Sequence, residues 1–527
     1  MDKATGVTLG LMLLLCYNGN TVSQTPCPAR CQCFTLTQVL CSDERMTSLP
    51  LNISRQVKGF IVMTTSLSYL FTNTLRESPQ LTKLVFFNNV LRDIHAQAFE
   101  NLTELQELEI SGNPWLEKLF LGTFSKQGNL TKLLLNFNRF KTVLPGMFDS
   151  LKELETLQMR GNIISDLPTL LFLNLHSLRV LDLSQNMLAE VERESFSGLA
   201  KLETLKMNYN LISSLSSDTF HNVSQLKELS LEGNKISELP HGIFSALTKL
   251  EVLNLRGNLL SSFSAEVFGL VPSGLKELVL KGNQLTALSS RALGSLKSLT
   301  HLSLSSNWLS KLPVDIFKNL TALESLDLSD NRLTLLPDKI FYDLGNVKVV
   351  HLHRNHLSEV DALLFEDQRF LQQLYLSDNQ LQTLPPGFFD PFLFQHIVRL
   401  HGNPWKCDCQ MWYLHDWVMK NSADIEELDK VFCKGPRFLR GQTVASVDKD
   451  QLVCHISKDG TPDLSSCSTE TINNTMIIKC KVNKCSPLTV KLQFQEEDGS
   501  IYEHTVKKEW AEHLQCSNGT KTMSPTE

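Results

Sequence analysis

From residue 81 to residue 403 apolar side chains recur on a fixed beat. Leu323, Leu326 and Leu328 lead to Asn331, and Leu371, Leu374 and Leu376 lead to Asn379, both in the order L-x-x-L-x-L-x-x-N. That asparagine returns at 89, 113, 138, 162, 186, 210, 234, 258, 283, 307, 331, 355, 379 and 403, with eleven intervals of 24 residues and two of 25. Inside x-L-x-L-x the leucines alternate with mostly polar residues, the period of a strand with one buried face, so each unit predicts one short strand of a parallel sheet. A repeat of this length that cannot bury its apolar face alone must stack on its neighbours, which makes the chain a solenoid. Thr65, 24 residues before Asn89, marks a degenerate earlier unit.

The pattern resembles the leucine-rich repeat. Its asparagine follows the strand, where the chain turns inward, and a buried amide with donors and an acceptor can satisfy backbone groups across neighbouring coils. Fourteen residues before most of these asparagines stands a phenylalanine: Phe99, Phe124, Phe148, Phe172, Phe196, Phe220, Phe244, Phe317, Phe341, Phe365 and Phe389, with Phe268 displaced by the extra residue of its unit. These rings predict an apolar spine beneath the convex side. Leu-Pro pairs ending at Pro168, Pro240, Pro313, Pro337 and Pro385 share one position and favour an extended rather than helical return segment.

The ends of such a stack expose leucine faces and need caps, and the cysteines cluster there. Lys3 followed by an apolar run to Leu15 and a small-x-small site at Thr21-Val22-Ser23 predicts a secretory signal peptide over 1–23 that removes Cys16. Twelve of the thirteen cysteines then remain, an even number that fits an oxidising, extracellular compartment. The expected organisation is a cysteine cap over 24–56, repeats over 57–403, a second cap over 404–456 and a tail over 457–527. Alternation at Leu488–Phe494, a turn at Asp498-Gly499 and an apolar run from Ile501 predict a small β-module in that tail. Cys467, Cys480, Cys485 and Cys516 staple it, in a pairing the sequence leaves open. The fold class is thus an α/β repeat solenoid, a leucine-rich repeat horseshoe with disulfide caps and a terminal β-module.

Charge and composition narrow the partners. The formal charge of −6 and the lack of a long basic block argue against nucleic acid and anionic membranes, and no later apolar run reaches the length of a membrane span. Asn-x-Ser/Thr sequons at Asn52, Asn101, Asn129, Asn222, Asn319, Asn473 and Asn518 are candidate glycan sites. Asn101, Asn222 and Asn319 all fall two residues after their unit's phenylalanine, on the convex side, which leaves the concave strands clear.

Candidate chemistry is sparse. His351 and His353 point outward from one concave strand, the spacing zinc enzymes use, with Asp327 and Tyr375 beside His351 on neighbouring strands. His356 lies beyond the turn asparagine, and His401 two units on. This leaves two good ligands and one plausible third on an open sheet, so a metal site, a partner-binding patch and solvated surface all remain readings of it. An apolar pair at Val85 and Phe87 is a second candidate contact, since exposed apolar side chains on a strand invite cover. The carboxylate pairs Glu107 with Glu109 and Glu228 with Glu232 lie on a broad sheet rather than across a glycosidase cleft. No nucleophile elbow, zinc-protease or phosphate-binding motif is present, so no catalytic residue, metal or cofactor is assigned and a non-enzymatic binding protein is expected.

Three sets of residues carry a closer likeness. Pro26-Cys27-Pro28, Cys31-Gln32-Cys33-Phe34 and Cys41-Ser42-Asp43-Glu44 stand at the front, Leu81–Phe86 and Leu135–Asn138 in the repeats. Leu400–Cys409, Cys433–Pro436, Gln451–Cys454, Cys480 to Cys485 and Glu509-Trp510 stand at the rear. Together they resemble the large non-catalytic, regulatory subunits of carboxypeptidase N, over nearly the whole mature chain. The resemblance implies cap disulfides Cys27 to Cys33, Cys31 to Cys41, Cys407 to Cys433 and Cys409 to Cys454. It further implies a secreted plasma glycoprotein that binds and stabilises a zinc carboxypeptidase removing C-terminal Arg or Lys from circulating peptides, two of each subunit forming a heterotetramer. Zinc then belongs to the partner. The alternative is a soluble leucine-rich repeat recognition or adhesion protein for another extracellular protein, which shares the capped solenoid but not the tail.

Overall fold

The computed structural model describes residues 27–51, 53–72, 74–269, 274–393 and 396–453, and the backbone of strands at 454–456, 467–472, 475–480, 489–495, 501–507 and 521–523. The expected signal peptide, Asn52, Asn473, Asn518, Cys485 and Cys516 lie outside the described residues. The chain divides into two compact units, one of residues 1–309 and 315–326, the other of residues 310–314 and 327–527.

The first unit opens with the hairpin Cys31–Thr35 and Gln38–Cys41, whose second strand runs parallel to Gly59–Met63. Parallel strands follow at Lys83–Phe87, Glu107–Ser111, Lys132–Leu134, Thr156–Gln158, Val180–Asp182, Thr204–Lys206, Glu228–Ser230, Val252–Asn254, Glu277–Val279 and His301–Ser303. Each pairs with the next without slippage, so Leu84, Leu108, Leu133, Leu157, Leu181, Leu205, Leu229, Leu253 and Leu278 form one inward row. All of them are fully buried. In the second unit Val349–His351, Gln373–Tyr375, Ile397–Arg399 and Ile425–Glu426 repeat the arrangement. Register is strict because a slip of one residue would turn every leucine toward water.

The turn after each strand is held by the asparagine amide. Asn234 Nδ2 donates to Leu231 O of its own coil at 2.9 Å and to Met207 O of the coil before at 3.0 Å, while its Oδ1 accepts from Ile212 N at 3.2 Å. Asn355 does the same in the second unit, through Leu352 O, Leu328 O and Leu333 N. Thr65 takes the place of an asparagine in the degenerate first unit, its N–H and hydroxyl both donating to Asn89 Oδ1. Asn113 departs from the pattern, with its N–H and Nδ2 both directed to Asn138 Oδ1.

Reaching that turn requires a left-handed residue just before the asparagine. Thr64, Asn88, Phe137, Gln185, Tyr209, Ser306, Asp330, Arg354 and Asp378 all have φ between 52° and 55°. Such a conformation costs an L-residue about 1–2 kcal/mol. The side chain of Phe137 lies so close over the next coil that a Cβ on Gly161 would stand 2.4 Å from its ring, and Tyr209 covers Gly233 at the same 2.4 Å.

Behind the strands the phenylalanines stack as expected: Phe124 on Phe148 at 6.3 Å, Phe148 on Phe172 at 6.4 Å, Phe196 on Phe220 at 6.1 Å and Phe341 on Phe365 at 5.2 Å. Gln127 and Gln368 are buried along this spine, each donating to a phenylalanine carbonyl of the coil before. The return segments are turns and short 3-10 pieces. The proline carbonyls of Pro168, Pro240, Pro337 and Pro385 each accept from the residue three further on, and the α-helix Trp412–Lys420 sits in the C-terminal cap. One lateral edge carries alternating charge, with Glu203 held between Arg179 and Lys227 and Glu251 against Lys276.

Disulfides join Cys27 to Cys33, Cys31 to Cys41 and Cys407 to Cys433, the pairs the resemblance implied. Cys409 is also disulfide-bonded, whereas the side chain of Cys454 lies outside the described residues. Trp405 is wholly buried beneath the cap and donates to Leu400 O at 3.0 Å. In the tail, Cys467–Ile472 pairs antiparallel with Thr475–Cys480, and Thr489–Gln495 with Ile501–Lys507.

The asparagine ladder makes a direct prediction. Asn234→Ala leaves Leu231 O, Met207 O and Ile212 N without their buried partner, and should lower stability by about 2–4 kcal/mol in urea unfolding. Glu203→Gln, on the exposed charged edge, should leave the midpoint nearly unchanged.

Candidate binding surface

Outward positions of neighbouring strands line up in rows, because parallel pairing without slippage places equivalent residues side by side. In the second unit one row runs His351, Tyr375, Arg399, Glu426. The His351 imidazole lies parallel to the Tyr375 ring, with centroids 4.5 Å apart and planes 1° apart. The Arg399 guanidinium sits 4.1 Å from the same ring. Glu426 Oε2 accepts from Arg399 Nε at 2.5 Å, which fixes the guanidinium over the ring and neutralises it.

A second row places His353 edge-on, 5.7 Å from His351 and 6.1 Å from Tyr375. Its Nδ1 is buried without a hydrogen-bond partner among the described residues. Burial holds the His353 imidazole below its usual range, and His351, Arg354 and Arg399 push the same way while Asp327 opposes them. His401 Nδ1 lies 3.5 Å from Glu427 Oε2, which Lys430 Nζ also meets at 3.1 Å. Asp327 Oδ1 accepts from Ser329 N at 3.1 Å and from Ser329 Oγ at 2.6 Å. His356 stays in the turn, its N–H donating to Leu333 O. Among the described residues no group of three or more His, Cys, Asp or Glu is placed to hold a metal ion.

The neighbourhood of His351, His353 and Tyr375 was legible from the 24-residue register. Arg399 was not singled out, although it stands 24 residues after Tyr375 and the same register reaches it. Glu426 belongs to the cap, 27 residues further on, where the repeat no longer points to it.

The other expected contact lies in the first unit and needs correcting in part. Val85 faces outward but is only 6% exposed, covered within a sheet face that also carries Met63, Phe87 and Glu109. Phe87 remains half-exposed. Glu107 is clamped by Lys83 at 2.9 Å and Lys132 at 3.0 Å, and Glu232 accepts from Tyr209 Oη at 2.6 Å and Asn254 Nδ2 at 3.1 Å. Of the described sequons, Asn129 and Asn319 are exposed and Asn101 and Asn222 half-buried, Asn222 Nδ2 donating to Ser197 Oγ at 3.2 Å.

These features define a class first. The profile of the family described as Leucine rich repeat matches residues 128–188, 154–212, 176–236, 224–273, 300–349 and 345–393, and the fold is a leucine-rich repeat solenoid with disulfides near both ends of the repeats. A leucine-rich repeat protein of Leptospira interrogans has a solved structure that matches with a TM-score of 0.63 and 29% identity, over 73% of this chain and 93% of that one. Among curated proteins, the chain is related to carboxypeptidase N subunit 2 of Homo sapiens, 35% identical over 149 residues, and of Mus musculus, 34% identical over 149 residues. Each alignment takes in 24% of this chain, a shorter stretch than the likeness in caps and tail implied, and the chain spans 27% of the length of these relatives. The disulfides fit an extracellular protein, and no helix of the described residues is long and apolar enough to cross a membrane.

The depressed His353 pKa fixes a sign. The folded state resists protonation that the unfolded chain accepts near pH 6.5, so stability is present above that pH and is lost as pH falls below it. Thermal unfolding between pH 7 and pH 5 should therefore show a smaller loss for His353→Gln than for the unaltered chain.

Proposed function

We propose that this chain is a secreted, non-catalytic regulatory subunit that binds, carries and stabilises a zinc carboxypeptidase, of the kind that removes C-terminal Arg or Lys from circulating peptides. The observation that carries the reading is the relation to carboxypeptidase N subunit 2, at 35% identity. The chemistry of the sheet face supports it. His351, Tyr375 and Arg399 form a flat, pre-ordered stack, and Tyr and Arg are the side chains that most often dominate protein interfaces. His353 and Phe87 add half-exposed contact area in their respective units. Zinc, the nucleophile and the acid-base groups then reside on the partner, and this chain supplies affinity and protection.

In the assembled form two regulatory chains hold two catalytic chains, a stoichiometry taken from the resemblance. Stabilisation follows by mass action, since a partner that binds only the folded enzyme lowers its unfolded fraction.

The test is reconstitution with purified carboxypeptidase N catalytic subunit. Light scattering should find a complex much heavier than the 59.5 kDa chain, and the thermal half-life of carboxypeptidase activity should lengthen. Tyr375→Ala should weaken the complex by about thirtyfold, the loss expected of an interface hot spot. A chain that stays alone and leaves the half-life unchanged sinks the reading in favour of a recognition or adhesion protein.

A further inference from the structure

Glu109 sits on the sheet face of the first unit, between Val85 on one neighbouring strand and Leu134 on the other. Both flanking side chains are nearly covered, at 6% and 9% exposure. Two cations stand close by, Lys83 and Lys132, but each ion-pairs with Glu107, two residues earlier on the same strand. Glu109 itself has a hydrogen bond with Ser111 and no ion pair among the described residues. Phe87, half-exposed, stands next to Val85 at the following outward position.

We propose that Glu109 is the anchor of a subsite for a lysine or arginine side chain of a protein partner. The cationic head meets the carboxylate, and the aliphatic stem lies across the half-exposed ring of Phe87. A half-buried carboxylate among apolar side chains, with no ion pair of its own among the described residues, is an unfavourable resting arrangement, and an incoming cation supplies that pair while its stem covers Phe87. Glu107 cannot serve in the same way, because Lys83 and Lys132 already occupy its two oxygens. Burial, with Glu107 adding to it, raises the Glu109 carboxyl above its usual range, against the Ser111 hydrogen bond and the more distant lysines. Binding therefore weakens as pH falls through that raised value, because the cation requires the ionised form. This subsite is independent of the carboxypeptidase reading and of the His351 stack.

The experiment is calorimetric titration of the full chain with the capped tripeptides Ala-Lys-Ala, Ala-Arg-Ala and Ala-acetyllysine-Ala. Binding of the lysine or arginine peptide, absent for acetyllysine and reduced at least about tenfold by Glu109→Gln, is the expected result. Glu228→Gln, which removes a sheet-face carboxylate paired with Lys206, should not change it. A cooperative unfolding transition with a midpoint no lower than that of the unaltered chain confirms that Glu109→Gln is folded. Equal affinity for the acetylated peptide, equal affinity in Glu109→Gln, or no binding of any peptide at millimolar concentration overturns the proposal.

Discussion

A single amide, repeated every 24 or 25 residues, is the interaction on which the molecule rests. Each coil must turn inward after only a few strand residues, and the turn buries backbone groups that no strand or helix can pair. The asparagine satisfies one carbonyl of its own coil together with a carbonyl and an N–H of the coil before, as Asn234 and Asn355 do. That bond pattern is at once local and intercoil. It offsets the left-handed residue that precedes it, and it ties one turn to the next so that the leucine rows and the phenylalanine spine can register.

Because the backbone is so constrained, variety is confined to outward positions. There the same geometry that aligns leucines inside aligns polar and aromatic residues outside, and neighbours 24 residues apart become contact partners. The stack of His351, Tyr375 and Arg399 is a product of that rule, finished by a cap residue, Glu426. So are the Lys83, Glu107, Lys132 clamp and, beside it, Glu109, which has no ion pair among the described residues. Charge on the lateral edge follows the same rule, with Glu203 shared between Arg179 and Lys227.

Period and polarity made the solenoid, the asparagine ladder and the phenylalanine spine readable from residues alone, since each depends on spacing and a side-chain type that spacing exposes. The row through His351 and Tyr375 was readable for the same reason. Exposure was not. Val85 occupies an outward position yet is covered, because cover depends on the lengths of several neighbours, which no single position states. The cap disulfides came from family likeness, as four cysteines admit three pairings. The left-handed turn residues were hidden altogether: Phe137, Tyr209 and Arg354 have no local preference for positive φ, and the ladder overrides them.

Those turn residues bear on how such a chain can change over generations. The repeats look interchangeable, as though a coil could be lost or duplicated by unequal crossing-over without harm. Yet the ring of Phe137 rests where Gly161 has no Cβ, and that of Tyr209 where Gly233 has none. Excision of the coil that carries Gly161 would set Phe137 against Gln185, which has a side chain of its own. Those two pairs of neighbouring coils are thus mated, and inheritance must keep Phe137 with Gly161 and Tyr209 with Gly233.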